Sequence, residues 1–193
     1  MLLVGVTGGI GAGKTKALRE FGRFGAQILD ADDVVHEFYV PGSPVVEEFR
    51  CRWGARVLDS SGAVDCAAVA CLVFNSTQEL NWLNHLIHPL VKQRILAEAA
   101  QATPGLFCSI PLLFETGWEV EMSVTIAVWC DPETQWSRLR ERGWSDREIE
   151  HRLENQMDMN EKLTRSDYGI INNGSLHSLR EQCKRIFECI VNS

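Results

Sequence analysis

The run Gly8-Gly9-Ile10-Gly11-Ala12-Gly13-Lys14-Thr15 fits the spacing G-x-x-x-x-G-K-[ST]. Phosphate chemistry needs these residue types in this order. Glycines let the backbone approach a phosphate closely enough for successive N–H groups to point at it, and a helix starting at the end of the loop adds a dipole that favours an anion. Lys14 is then placed to reach β- and γ-phosphates, and Thr15 to offer its hydroxyl to Mg2+. The loop-lining set is Gly9, Ile10, Gly11, Ala12, Gly13, Lys14 and Thr15. Around it, Leu2 to Val6 is an apolar run, and Ala17, Leu18, Phe21 and Phe24 have helical spacing. That strand-loop-helix context favours a nucleoside triphosphate site over a glycine-rich turn that binds nothing. The loop alone does not separate hydrolysis, switching and phosphoryl transfer, since one fold hosts all three.

Asp30-Ala31-Asp32 ends the next apolar run, Gln27 to Leu29. The carboxyl ends of parallel strands are where open α/β sheets place ligands. A carboxylate there can orient an acceptor hydroxyl and take its proton as it attacks a γ-phosphorus. The competing reading is that one of these aspartates, or Asp33, caps the following helix. No later apolar strand ends in an aspartate suited to holding a metal, because Leu106 to Ile110 runs into Pro111-Leu112-Leu113-Phe114-Glu115. Asp32 is therefore expected to serve the acceptor and, through water, the metal. The chain also lacks an N-K-x-D-like base-reading motif, which favours a kinase over a GTPase switch.

Transfer needs positive charge over the moving group and exclusion of water. Arg138, Arg142, Arg147 and Arg152 lie in one predicted helical stretch. Arg142 and Arg152 are the candidates for phosphate contact, with Arg138 and Arg147 read as solvated or paired with neighbouring glutamates.

The elements that must position these groups follow from periodicity. Leu106 to Ile110, Val124 to Val128 and Gly169 to Ile171, led by Tyr168, read as buried strands. Val34, Val35 and Phe38 suggest a helix that Pro41 and Gly42 stop. Ser43 then caps a helix with Pro44 at its first position, and from there to about Ala102 the pattern is helical, with Leu80, Leu83, Leu86 and Ile87 as an apolar face. Pro132 starts a helix toward Arg142, and Ser145 with Glu148 forms a capping box for another. A last helix spans about Leu176 to Val191. Strands alternating with helices imply a parallel sheet in a three-layer α/β fold. The expected organisation is a single domain over residues 1–193, with an inserted helical lobe at about 43–102 and a lid at about 138–160.

At 193 residues the chain is long enough for one well-buried core. A net charge of -7 argues against a nucleic-acid partner, which would call for clustered Lys and Arg. No apolar stretch is long enough to span a bilayer, and the N-terminus lacks the basic and cleavage features of a signal peptide, so a cytoplasmic location without membrane attachment is expected. The seven cysteines form no C-x-x-C pair, and most are expected to be buried apolar residues in a reducing compartment.

These motifs together resemble the dephospho-CoA kinase family over essentially the whole chain. The family's T-G-G-I-G-S-G-K-[ST] stands here as Thr7 to Thr15 with Ala12 in place of Ser, and its I-D-A-D as Leu29-Asp30-Ala31-Asp32. His88-Pro89-Leu90-Val91 resembles its H-P-x-[VI], Pro111 to Glu115 its P-L-L-F-E, Arg152 to Met157 its R-x-x-x-Q-[MA], and Asp167 to Gly174 its A-D-x-x-I-x-N-x-G. Three positions depart from the pattern. Lys16 follows Thr15 where many members have Ser-Thr, His36 stands where some carry Arg, and Cys66 stands where an Arg is common.

The resemblance implies a P-loop NTPase fold of the nucleoside-monophosphate-kinase-like kind, with an acceptor lobe and a helical lid. It implies transfer of the γ-phosphoryl group of ATP, with Mg2+, to the ribose 3′-hydroxyl of dephospho-CoA, and no obligate protein partner. Asp32 would be the base, and Lys14 and Arg142 would act on the phosphates. Arg152, Asn173 and Gly174 would contact ATP, while His88, Pro111, Leu112, Leu113 and Glu115 would line the acceptor pocket. Read from the residues alone, His88 before Pro89 is a helix-start residue instead. Two rival readings stand beside this one: a kinase for another small acceptor, and a regulatory protein that uses the loop as a switch.

Overall fold

The computed structural model describes residues 1–192. It divides into two compact units, one made of Met1–Asp30 and the chain from Glu98 onward, the other of Ala31–Ala97.

The first unit is built on β1 (Leu3–Gly8), β2 (Gln27–Asp30), β3 (Leu106–Ser109), β4 (Val124–Trp129) and β5 (Tyr168–Ile171). They form one parallel sheet in the order β2-β3-β1-β4-β5. Every residue of central β1 is buried, which is why it reads as a continuous apolar run rather than an alternating one.

Helices α1 (Lys14–Arg23) and α9 (Leu176–Val191) share one core with the sheet. Ala17, Leu18 and Phe21 of α1 and Leu179, Cys183, Ile186 and Ile190 of α9 cluster with Val4, Val6, Phe107, Ile126, Val128 and Ile170. The Phe21 and Phe107 rings lie 4.8 Å apart. Each fully buried side chain of this size contributes about 1.5–3 kcal/mol, so the apolar period of the two helices suffices to dock them. Between these helices Glu20, itself buried, accepts hydrogen bonds from Arg23 and Arg180, and the bond from Arg180 chiefly holds its carboxyl below the usual range.

Alternate β1 residues serve different neighbours. A Cβ on Gly5 would meet Met122 and Leu113 side chains at 2.9 and 3.1 Å, so only glycine lets that layer close on the strand. Helix α8 (Met159–Arg165) packs against β1 and β4. Ahead of it in the chain come α6 (Pro132–Glu141), capped by Asp131, and α7 (Asp146–Glu154), which carries the expected Ser145–Glu148 capping box.

The second unit holds α2 (Ala31–Glu37), α3 (Pro44–Trp53), α4 (Cys66–Phe74) and most of α5 (Thr77–Ala99). Ser43 caps α3 with Pro44 at its start, as the sequence predicts. The core of this unit is aromatic: Phe49 lies 5.4 Å from Tyr39, 5.0 Å from Trp53 and 5.9 Å from Trp82. Glu79 orders its edge by accepting from Arg52 Nε and Nη2 and from the Trp53 indole, with the Arg52 guanidinium over the Trp82 ring.

Three expectations are corrected here. His88-Pro89 does not start a helix, because α5 runs through Pro89. Buried Ile87, Val91 and Ile95 lie at a spacing of four on both sides of it, and that stripe outweighs the ~3 kcal/mol an internal proline costs. Leu80 is exposed, so the buried stripe of α5 begins about two turns later than predicted. Only Cys108, Cys130 and Cys183 of the seven cysteines are buried, since the other four lie on helix surfaces, and all seven are free thiols. No helix among the described residues is long and apolar enough to cross a membrane.

Candidate active site

The loop between β1 and α1 is shaped by its glycines. Gly8, Gly11 and Gly13 have φ of 144°, 76° and 101°. A Cβ on Gly8 would strike the Val128 carbonyl, and one on Gly13 would strike the Asn172 amide. The left-handed φ and the clash together predict that Gly13→Ala costs ~1–3 kcal/mol. A melting temperature lowered by several degrees and a weakened nucleotide affinity are expected from thermal melts and ATP titration.

Neighbouring side chains hold the carbonyl side of this loop. Gln135 Nε2 donates to Ile10 O at 2.7 Å and Asn172 Nδ2 to Ala12 O at 2.7 Å. Arg138 donates to Asn172 O at 2.8 Å and to Gly11 O and Ala12 O at 3.4 Å each. Gln135 and Asn172 are nearly fully buried, so these bonds fix the loop rather than decorate it. Lys14 Nζ donates to Gly8 O at 2.8 Å and Gly9 O at 3.0 Å. The lysine is thus folded over the loop it belongs to.

Helices α3, α4, α6, α7, α8 and α9 each begin on a Ser or Asp whose side chain accepts a first-turn N–H. Helix α1 begins on Gly13 with no side-chain cap bond and no acidic residue in its first turn among the described residues. Orphan N–H groups and the positive end of the dipole are therefore left to an anion, with Thr15 exposed beside them.

Asp30 ends β2 opposite Ser109, and Asp32 and Asp33 fall in the first turn of α2, both exposed. His88 is half-buried in α5, where burial and then the nearby His85 hold its pKa below the usual range. Pro111 is half-buried and Leu112 exposed, but Leu113 is fully buried against Gly5. Leu113 thus supports the turn from beneath. Glu115 Oε1 accepts from Lys162 Nζ at 2.7 Å and from Met157 N at 2.9 Å.

In the arginine-bearing stretch, Arg142 is the exposed C-cap of α6, and exposed Arg152 stacks 4.3 Å over the Trp144 ring. Arg147 is exposed as expected. The solvated reading of Arg138 is corrected: it sits one turn before the exposed end of α6, where its guanidinium reaches two carbonyls of the phosphate loop and that of Asn172. Asn173 Oδ1 accepts from Asp131 N, which ties the loop before α9 to the start of α6, and Gly174 follows it.

Four further residues that the sequence reading left unassigned meet this loop or its supports: Gln135, Asn172, Gln156 and Lys162. Gln156 Oε1 accepts from Ile10 N at 3.1 Å. Asn172 and Gln156 lie inside motifs quoted above, so their signal was present. Gln135 and Lys162 sit on helices whose patterns carry no mark of a polar residue turned inward.

A parallel sheet in this order, a glycine loop feeding an uncapped helix and a lysine over the loop define a P-loop nucleotide-binding fold. The family model for dephospho-CoA kinase matches residues 2–178, and the chain belongs to that family. A dephospho-CoA kinase from Leptospira interrogans is 37% identical over 196 residues, covering 98% of this chain and 93% of its own. A Thermus thermophilus protein of known crystal structure superposes with a TM-score of 0.86 at 30% identity, covering 97% of this chain and 96% of its own. A Campylobacter jejuni dephospho-CoA kinase shares the fold with a TM-score of 0.73 at 24% identity, covering 98% and 97%.

Proposed function

We infer that this protein transfers the γ-phosphoryl group of ATP to the ribose 3′-hydroxyl of dephospho-CoA, giving CoA and ADP, the last step of coenzyme A biosynthesis. The observation that carries this reading is the family match across residues 2–178, joined to the loop geometry from Gly8 to Thr15.

In this account the N–H groups at the start of α1 and the Lys14 ammonium bind the triphosphate, and Lys14 leaves the Gly8 and Gly9 carbonyls to do so. Asp32 orients the acceptor hydroxyl and takes its proton. Arg142 and Arg152 bring positive charge from the segment at about 138–160, which acts as the lid. Asn173 and Gly174 border the adenine, and His88, Pro111, Leu112 and Glu115 serve the acceptor, with residues 43–102 as its lobe.

Thr15 suits Mg2+ carried in with ATP. Its hydroxyl is exposed at the loop's end, and no cluster of three or more His, Cys, Asp or Glu fit to hold a metal occurs among the described residues. One protein oxygen completed by phosphate oxygens and water is the manner in which Mg2+ is usually held in such sites, where it draws charge from the phosphates.

The seven free thiols fit a cytoplasmic setting, and the charge of -7 fits small soluble substrates rather than nucleic acid. No obligate protein partner is part of the proposal. The test is ADP release from Mg-ATP with dephospho-CoA, other nucleosides or nucleotides, or no acceptor. ADP formed only with dephospho-CoA is expected. ADP formed equally well with another acceptor overturns the substrate assignment.

A further inference from the structure

Lys162 lies on α8, outside the residues assigned to substrates, yet its side chain is fully buried. A buried ammonium costs several kcal/mol unless paired, and this one is paired twice. Nζ donates to Pro111 O at 2.6 Å and to Glu115 Oε1 at 2.7 Å. Both partners belong to the turn after β3, and each leads on to a part of the site. Pro111 O also accepts from Thr7 Oγ1 at 3.2 Å, at the entrance to the phosphate loop. Glu115 Oε1 also accepts from Met157 N, one residue beyond Gln156, whose carboxamide holds Ile10 N. Met159 closes the circuit, since a Cβ on Gly9 would meet its Cγ at 2.6 Å.

We propose that Lys162 and Glu115 act together as positioning residues for phosphoryl transfer, fixing the C-terminal end of the lid, Gln156–Met159, against the phosphate loop. Neither needs to touch ATP. Glu115 is satisfied by two donors on one oxygen and serves as the joint between turn and lid segment rather than only as a lining residue. Burial lowers the Lys162 pKa, and the Glu115 carboxylate counters that effect. Neutralising either member slackens Gln156 and with it the γ side of the loop.

The inference rests on the kinase reading, and the experiment separates the two. Wild-type ADP release with dephospho-CoA tests the reaction; the variants Glu115→Gln, Lys162→Met and their double test the pair. Glu115→Gln keeps size and an acceptor for Met157 N, so it tests the charge without opening a cavity. Each single change is expected to lower kcat by about tenfold to a hundredfold, the cost of a small misplacement, with KM for ATP within about twofold. The double variant is expected to match the worse single, because the residues act as one unit. Hydrogen exchange at the Met157 and Ile10 amides is expected to quicken in Glu115→Gln while the melting temperature moves little. Unchanged kcat in Glu115→Gln, multiplicative losses in the double variant, or a raised KM for ATP at constant kcat overturns the proposal.

Discussion

Replacing Lys14 with alanine is expected to reduce phosphoryl transfer by about a hundredfold to a thousandfold while the chain stays folded. The size follows from the role, because an ammonium over β- and γ-phosphates neutralises charge that builds as the phosphoryl group leaves, and removing one such group commonly costs two to three decades. The folding half follows from the environment. Lys14 is only half-buried, and its Nζ bonds shown here go to Gly8 O and Gly9 O of its own loop. The loop itself is held from behind by Gln135, Arg138 and Asn172. A circular-dichroism melt should therefore shift by no more than a few degrees while ADP release with dephospho-CoA falls by that factor. Activity equal to wild type would remove the loop from the ATP site.

Asp32→Asn is expected to keep ATP binding and to lose about a hundredfold or more in turnover, the usual weight of a general base. The exchange keeps shape, and Asp32 is exposed in the first turn of α2, so packing is not disturbed. Asp30, two residues earlier at the end of β2, supplies the control. If Asp30→Asn loses turnover and Asp32→Asn does not, the base is Asp30. ATP titration and initial rates on both variants decide this.

The sheet and the phosphate loop were legible because both are local. A buried strand must be apolar, and a loop that wraps an anion must place Gly, Lys and Thr at fixed offsets. The Ser145–Glu148 capping box and the α9 stripe, with Leu179, Cys183, Ile186 and Ile190 inward, were legible for the same reason. What was lost depends on long-range placement. Arg138 looked like one more charge on a helix, and nothing within a few residues of it tells that Gly11, Ala12 and Asn172 offer it three carbonyls. Lys162 was invisible because its partners lie 51 and 47 positions away in the chain. Pro89 misled because a proline weighs heavily in a local reading, while the buried stripe of α5 is a property of the folded unit.

The central claim is the identity of the reaction, and the product of one incubation tests it most directly. Purified protein is incubated with Mg-ATP and dephospho-CoA, and the acceptor is analysed by mass and by phosphorus NMR. ADP is expected together with a product heavier by one phosphate, carried as a monoester on the ribose 3′-oxygen. Unchanged dephospho-CoA, or a phosphate placed elsewhere on it, would overturn the assigned reaction.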